Sequence, residues 1–590
     1  MSSQQTPPSP TPRTGAGGTE PTQGLPPLNQ IVQQITEAYL RHVDPSDPPP
    51  AHVVEQELIH LVNSEIEMSN SMRPVRTSHL SYLRTLTFSQ VAQVMLHVHH
   101  ICRIAPAGKN TDPDYDLLAL YAEDGPDQGI YLTSEEAFRQ VARSYNYSMS
   151  HLEFREVMTV LKDAAPRRFR TMDRDLIPVA NGVFDYATKQ LRPFSPELVF
   201  VAKSHVPYVA RPTNPVITNP DGSTWDVETW IAELFDDPEL SELIWQILGA
   251  IIRPGVRWNK SAWFFSERGN NGKGTLCELM RNLCGPTAYA SVPLADFSKE
   301  FQLEPIMRAN AIIVDENDVG TYIDKAANLK AVVTNDVISI NRKFKAPVAF
   351  QFFGFMVQCL NEYPRVKDRS ESFYRRQLFV PFTKSFTGAE RRYIKDDYLH
   401  RPEVLQYVLH RVLHMSYYVL SEPAATREVL EDYKSMNDPV RAFFEEFSEQ
   451  FTWDLVPFAF LYDLYRSWFA RTNPAGSPLG LKTFSSDLRQ IVEGSGRWYA
   501  TAPGARVRPA NRMDNFEPLV LEYDLRSWMD PDYSGNDPRS RARPVLKTFY
   551  QGLCRYGSGP TALAPETDPQ NQDAELESDL LDAFTVNDEG

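Results

Sequence analysis

Trp263-Phe264-Phe265-Ser266-Glu267-Arg268-Gly269-Asn270-Asn271-Gly272-Lys273-Gly274-Thr275-Leu276-Cys277-Glu278-Leu279-Met280 is the stretch whose reading decides the fold. Three apolar residues suit a buried strand. A Gly-rich loop follows, then a run with helical spacing. Strand, Gly-rich loop and helix is the context in which backbone N–H groups converge on phosphate oxygens at the positive end of a helix. Lys273 would reach the β- and γ-phosphates of ATP. Gly269, Asn270, Asn271, Gly272, Gly274 and Thr275 make up the rest of the nucleotide-binding loop. Two positions depart from Gly-x-x-x-x-Gly-Lys-Ser/Thr. Glu267 stands at the first Gly, and Gly274 stands where a hydroxyl belongs. Thr275, one place later, is expected to hold Mg²⁺ directly or through water. Alone, this is a defective motif.

Three further elements give it context. Ala311-Ile312-Ile313-Val314-Asp315-Glu316 reads as a buried strand ending in two acids. Asp315 would hold Mg²⁺ through water, and Glu316 would polarise the attacking water. Phe355-Met356-Val357-Gln358-Cys359-Leu360-Asn361 is a second buried strand, ending in an amide that can hold that water and the γ-phosphate. Arg375-Arg376 precedes the apolar Leu378-Phe379-Val380-Pro381-Phe382, and an Arg there can act on a neighbouring subunit's nucleotide. The plain alternatives are a strand that merely ends at an acidic loop and a solvated edge carrying two Arg.

With these four elements in this order, the chain resembles the superfamily 3 helicases of the AAA+ group. More narrowly, it resembles the primase–helicases of satellite phages, plasmids and poxviruses. The narrower likeness lies in Asn270 to Thr275, Val314-Asp315-Glu316, Asn361-Glu362-Tyr363-Pro364 and Phe373-Tyr374-Arg375-Arg376-Gln377. Upstream, it includes Val179 to Asp185 and Ile247 to Ile251. The resemblance implies an α/β fold: a P-loop AAA+ superfamily 3 core, a helical N-terminal region, a small α+β helicase-preceding domain and a C-terminal winged-helix-like domain. It implies a homo-oligomer, a hexamer, driven by ATP and Mg²⁺, with single-stranded DNA in its pore. It also implies that Arg342, Lys343 and Lys345 lie on a hairpin projecting into that pore. Lys343-Phe344-Lys345 alternates as a strand does, placing both Lys on one face towards DNA phosphates; a charged surface strand is the alternative. The family usually carries an N-terminal primase. No carboxylate constellation or Cys cluster before residue 170 suggests one, so priming activity is not expected.

The chain has 590 residues, a net charge of −16 and 42% hydrophobic residues, which suits several soluble domains. The acidity argues against a nucleic-acid-binding surface over the whole protein and leaves room for a local basic channel. Five Cys without any Cys-x-x-Cys suggest neither a zinc ribbon nor a disulfide framework and fit a reducing cytoplasm, that of a bacterial host on the resemblance. No apolar run is long enough to cross a membrane. Residues 1–28 and 562–590, the latter acidic, read as disordered tails. Between them the expected domains are a helical region (29–111), the helicase-preceding domain (112–224), the ATPase (225–430) and the winged-helix-like domain (438–559).

Within these, His97-Val98-His99-His100 reads as a polar helix face rather than a metal site. Asp112-Pro113-Asp114 reads as a turn. Asn181-Gly182 reads as a hairpin turn made possible by positive φ. In the last domain Leu461–Phe469 and Lys482–Ile491 read as helices. Arg497-Trp498-Tyr499 and Arg506-Val507-Arg508 read as a wing. Lys482, Arg489, Arg497 and Arg508 are the candidate contacts to duplex origin DNA.

Two other functions compete with a motor. One is a nucleotide-binding replication loader or initiator scaffold with weak hydrolysis and no unwinding. The other is a P-loop phosphotransferase acting on a small molecule.

Overall fold

The computed structural model describes residues 25–73, 79–108, 111–343, 345–388, 391–472, 477–493 and 496–557. The acidic tail and all but the end of the opening tail lie outside the described residues, and Leu28 already begins a helix. The chain forms two compact units. One comprises Met1–Asn317, Ala327–Asn361 and Phe382–Ser421; the other comprises Asp318–Ala326, Glu362–Pro381 and Glu422–Gly590.

The first unit opens with helices Leu28–Leu40, Ala51–Ser71 and Phe88–Val98. Val54, Leu58, Val62 and Ile66 recur every four residues and are fully buried, the stripe that an amphipathic helix turns to its core. Thr87 and Gln90 form a reciprocal cap on the third helix. The helical pattern expected up to residue 111 fails after His99. Ile101–Ala105 is a strand, inserted between Leu117–Tyr121 (antiparallel) and Arg167–Phe169 (parallel). A strand buried on both faces loses its alternation, so its sequence resembles a continuing helix. A domain boundary at 111/112 would cut this sheet, so the helical region and the following α+β elements form one body. Tyr131–Leu132 completes the sheet, and helices Glu135–Tyr145 and His151–Ala164 follow.

The histidines diverge. His97 Nε2 lies 2.9 Å from the Val43 carbonyl, and His99 Nε2 lies 3.1 Å from the Tyr145 hydroxyl. Asp112 caps its own turn by accepting from Asp114 N at 3.0 Å. Strands Leu176–Val179 and Gly182–Asp185 form the expected hairpin, and Gln190–Arg192 extends it to three strands; Val179 pairs with Gly182, so the loop residues are Ala180 and Asn181. Asn181 is fixed instead by Tyr208, donating to its carbonyl at 3.0 Å and accepting from its N–H at 2.8 Å. Gly182 is needed because a Cβ would lie 2.4 Å from the Arg192 carbonyl oxygen.

Four parallel strands then stand in the order Tyr289–Ala290, Ala311–Val314, Phe355–Leu360 and Ser261–Phe265. The last three are buried at every position, which explains their predominantly apolar sequences.

In the second unit, helix Ala424–Asn437 crosses the boundary expected at 430. Helix Pro439–Phe447, strand Leu455–Pro457, helices Phe458–Thr472 and Leu481–Val492, and strands Trp498–Ala500 and Gly552–Arg555 follow. The last strand pairs antiparallel with both others and so lies between them. An aromatic core of Phe443, Trp453, Phe460, Tyr465, Phe484 and Trp498 holds these elements together. Among the described residues no helix is long and apolar enough to cross a membrane.

Candidate functional site

The loop after Ser261–Phe265 leaves the sheet at the carboxyl ends of its strands, where open α/β sheets place ligands. Asn270 (φ 54°) and Gly272 (φ 89°) are left-handed. The backbone conformation at Gly272 requires glycine, and a Cβ there would also have to displace the end of the Leu234 side chain, 2.7 Å away. Asn271 is buried. Its amide donates to the Arg268 carbonyl at 2.5 Å, and its Oδ1 accepts from Lys273 N at 3.3 Å, tying the loop to the first turn of helix Lys273–Cys284. At Gly269 and Gly274 an added Cβ would meet nothing within 4 Å. Space therefore does not exclude a hydroxyl residue at 274. Thr275 is half-buried in the same first turn.

Lys273 bends back over the strand ends. Its Nζ donates to the carbonyls of Ser266 (3.3 Å) and Leu360 (3.1 Å) and to Asn361 Oδ1 (2.9 Å). Two residues far apart in sequence thus meet because their strands are neighbours. Burial pulls the Lys273 ammonium below the usual lysine range. None of its three acceptors is a carboxylate, so its charge is solvated by neutral oxygens and remains available to an anion.

Asp315 and Glu316 are exposed at the end of Ala311–Val314. Asp315 Oδ1 pairs with Arg281 Nη2 at 2.9 Å, and Arg281 also meets Glu278 at 3.3 Å. Burial pushes the Asp315 carboxyl up, but the hydrogen bond and charge of Arg281 outweigh it, and the net direction is down. Arg281 was not foreseen from the sequence; its only signal is a position two helical turns beyond Lys273. Asn317 was also missed. It is buried; its Oδ1 accepts from Leu294 N at 2.9 Å, and its amide donates to Gln358 Oε1 at 2.9 Å and the Cys359 carbonyl at 3.1 Å. Gln358 in turn donates to the Val292 carbonyl at 3.0 Å. This amide chain fixes the end of the acidic strand against the strand leading to Asn361.

Strands Val337–Arg342 and Lys345–Gln351 form an antiparallel hairpin. The expectation that Lys343 and Lys345 share one strand face is corrected: Lys343 lies in the turn, while Lys345 opens the second strand. Phe344 lies outside the described residues. Arg342 folds back onto the Ala346 carbonyl at 3.2 and 3.0 Å, and Lys345 pairs with Glu135 at 3.3 Å.

In the second unit, Arg375 and Arg376 follow the short helix Glu371–Tyr374. Glu371 is held by Lys434 and Arg441, each at 3.3 Å, so helices on both sides of the expected start at 438 build the base of the Arg pair. Arg376 is half-buried and donates to the Ser372 carbonyl; Arg375 is exposed.

The four C-terminal candidates separate. Arg489 donates to the Thr501 carbonyl and lies 4.4 Å from the Phe458 ring centroid, and Arg497 pairs with Glu449. Arg489 is half-buried and turned onto its own domain, which corrects its assignment as an open contact, whereas the Arg497–Glu449 pair lies at the surface. Lys482 and Arg508 are exposed.

Three family models match the chain. Residues 97–236 match "D5 N terminal like", 264–376 match "Family of unknown function (DUF5906)" and 435–517 match "Poxvirus D5 protein-like". Two solved apo structures of the NrS-1 C-terminal region are similar. One is 12% identical, covers 71% of this chain and 96% of that chain, and has a TM-score of 0.38. The other is 13% identical, covers 68% and 85%, and has a TM-score of 0.35. No curated protein matches. The D5-like segments lie on both sides of the loop–helix segment. The two D5-like matches support kinship with the D5-like primase–helicases of phages and poxviruses.

Proposed function

We propose that this chain is an ATP-dependent DNA helicase or translocase of superfamily 3 type, serving replication of a phage, plasmid or mobile element. The observation that carries this is the 2.9 Å contact between Lys273 Nζ and Asn361 Oδ1, beside a strand ending in Asp315-Glu316. Loop cation, water-orienting amide and acidic pair converge at one edge of one parallel sheet, as phosphoryl transfer to water requires.

The residues fit ATP and Mg²⁺. The loop is open at Gly269 and Gly274, and Lys273 carries no carboxylate counter-charge. The loop N–H groups and Lys273 would hold the phosphates, and Thr275 and Asp315 would hold Mg²⁺. Bound Mg²⁺ supplies neutralisation of phosphate charge. Glu316 accepts the proton of the attacking water, and Asn361 orients that water. Arg375, the exposed member of its pair, is the finger reaching a neighbouring subunit's nucleotide in a hexameric ring. Lys343 and Lys345 grip single-stranded DNA in the pore. The helix–strand–helix–helix–strand–strand order of the second unit, with its last strand central, supports a winged-helix domain contacting duplex DNA, with Lys482 at the start of its recognition helix.

Measuring ATP turnover with and without single-stranded DNA tests this reading. DNA-stimulated hydrolysis lost in Lys273→Ala is expected; hydrolysis indifferent to DNA sinks it. One observation favours a second reading, a loader with weak hydrolysis: Arg281 already occupies Asp315 Oδ1. On that reading the protein binds ATP and DNA but never unwinds.

A further inference from the structure

Residues 538–565 hold Arg539, Arg541, Arg543, Lys547 and Arg555 and no acidic residue, in a chain of net charge −16. Their described part is built onto the second unit. Ala542 is fully buried in the aromatic core. The Arg541 carbonyl accepts from Asp530 N at 2.8 Å, and Lys547 N donates to the Tyr550 hydroxyl at 2.8 Å. Tyr550 pairs with Val507. Arg541 and Arg543 flank the inward Ala542, and both are exposed, as is Lys547. Arg508, beside Val507, places its guanidinium 5.3 Å from the Phe549 ring centroid. Arg555 is excluded, because it pairs with Asp454 at 2.8 Å. No described carboxylate forms an ion pair with Arg508, Arg541, Arg543 or Lys547. Fixed, exposed and uncompensated cations on one stretch are the electrostatic footprint of a polyanion site.

One polyanion is permanently at hand. Residues 566–590 carry nine acidic residues and no basic one. A short tether makes their encounter with the strip intramolecular, with an effective concentration on the order of millimolar.

We propose that Arg508, Arg541, Arg543 and Lys547 form a phosphate-binding strip for a nucleic-acid backbone, and that the acidic stretch 566–590 occupies it until nucleic acid displaces it. The nucleic-acid half rests on the proposed DNA role; the occupancy half does not.

The test compares the full chain with a chain ending at residue 565. Each is titrated without nucleotide against labelled duplex and single-stranded DNA from about 50 to about 300 mM salt. Removing the acidic stretch is expected to tighten binding at least about tenfold at low salt, with the gain fading as salt rises. Arg541→Gln, Arg543→Gln and Lys547→Gln together should flatten the salt slope by about two to three and erase that gain. Circular dichroism checks that this variant is folded. Independently, a carbodiimide should cross-link Lys547 to an acid of 566–590 in the full chain, and DNA should suppress the cross-link. Absence of both the gain and the cross-link overturns the proposal. A gain that persists in the triple variant overturns the strip as the seat. A cross-link with no DNA binding by any form upholds occupancy and overturns the nucleic-acid half along with the DNA role.

Discussion

Replacing Asn317 by Leu removes a side chain that is 5% exposed and makes three hydrogen bonds, at 2.9, 2.9 and 3.1 Å. Leu is of similar size, so the main loss is polar. Leu294 N and Gln358 Oε1 are left without these partners in a buried place, at a cost of about 1–2 kcal/mol each. The total, about 2–4 kcal/mol, falls on the local structure that presents Asp315 and Glu316. At about 1.4 kcal/mol per tenfold, amide exchange at Leu294 and along 311–316 should accelerate at least about 30-fold. Hydrogen-exchange mass spectrometry on those peptides reads this directly, with the helices of 28–71 as an internal reference. Gln358→Leu in the same background also removes the orphaned acceptor. The double variant should therefore cost less than the sum of the singles by about 1 kcal/mol or more. Unchanged exchange at Leu294, or strictly additive costs, would refute the view that this amide chain positions the acidic pair.

Thr275→Ala should lower ATP turnover at least about tenfold while exposed Thr159→Ala does not; equal turnover would remove Thr275 from the Mg²⁺ role. Arg375→Ala subunits mixed into wild type should depress turnover more steeply than their fraction, and Arg376→Ala should act mainly on stability. The reverse ranking would identify Arg376 as the finger. Lys343→Ala with Lys345→Ala should abolish unwinding and leave DNA-independent hydrolysis largely intact, whereas equal loss of both would make these lysines structural. For pH, burial first and His100 second pull His99 down to about 4. The unfolded imidazole gains its proton near about pH 6.5. The unfolded state therefore binds the proton first as pH falls, and the His99 contribution, complete above that pH, is lost progressively down to about pH 4. Thermal melts of His99→Gln should show a shallower decline than wild type across that window; parallel declines would mean that His99 protonates in the folded state.

Much of the site was legible because its chemistry is local. Gly272 must be glycine for its own φ, and Asn270 tolerates the left-handed region. The all-apolar run before Asp315 and the mostly apolar run before Asn361 suit only buried elements. Other readings failed where local pattern was ambiguous. Ile101–Ala105 looked helical because a strand covered on both faces has no period of two. Arg489 looked like an open DNA contact because an Arg on a helix reads the same whether its guanidinium meets solvent or a neighbouring carbonyl.

By itself, the sequence determined the order of the chemistry-bearing elements: Gly-rich loop, acidic pair, strand-terminal Asn and Arg pair. Each depends on residue types within one short segment, where backbone conformation and hydrophobic burial act over a few positions. Tertiary structure decided which of them meet and what else holds them. The parallel strand order brings Asn361 to Lys273 and Gln358 to Asn317, and a helix turn brings Arg281 to Asp315. It also left Arg541, Arg543 and Lys547 exposed on a stretch pinned by Ala542, while Arg489 turned onto the Thr501 carbonyl. Hydrogen bonds and ion pairs act over about 3 Å, and only the folded chain decides which distant residues come that close.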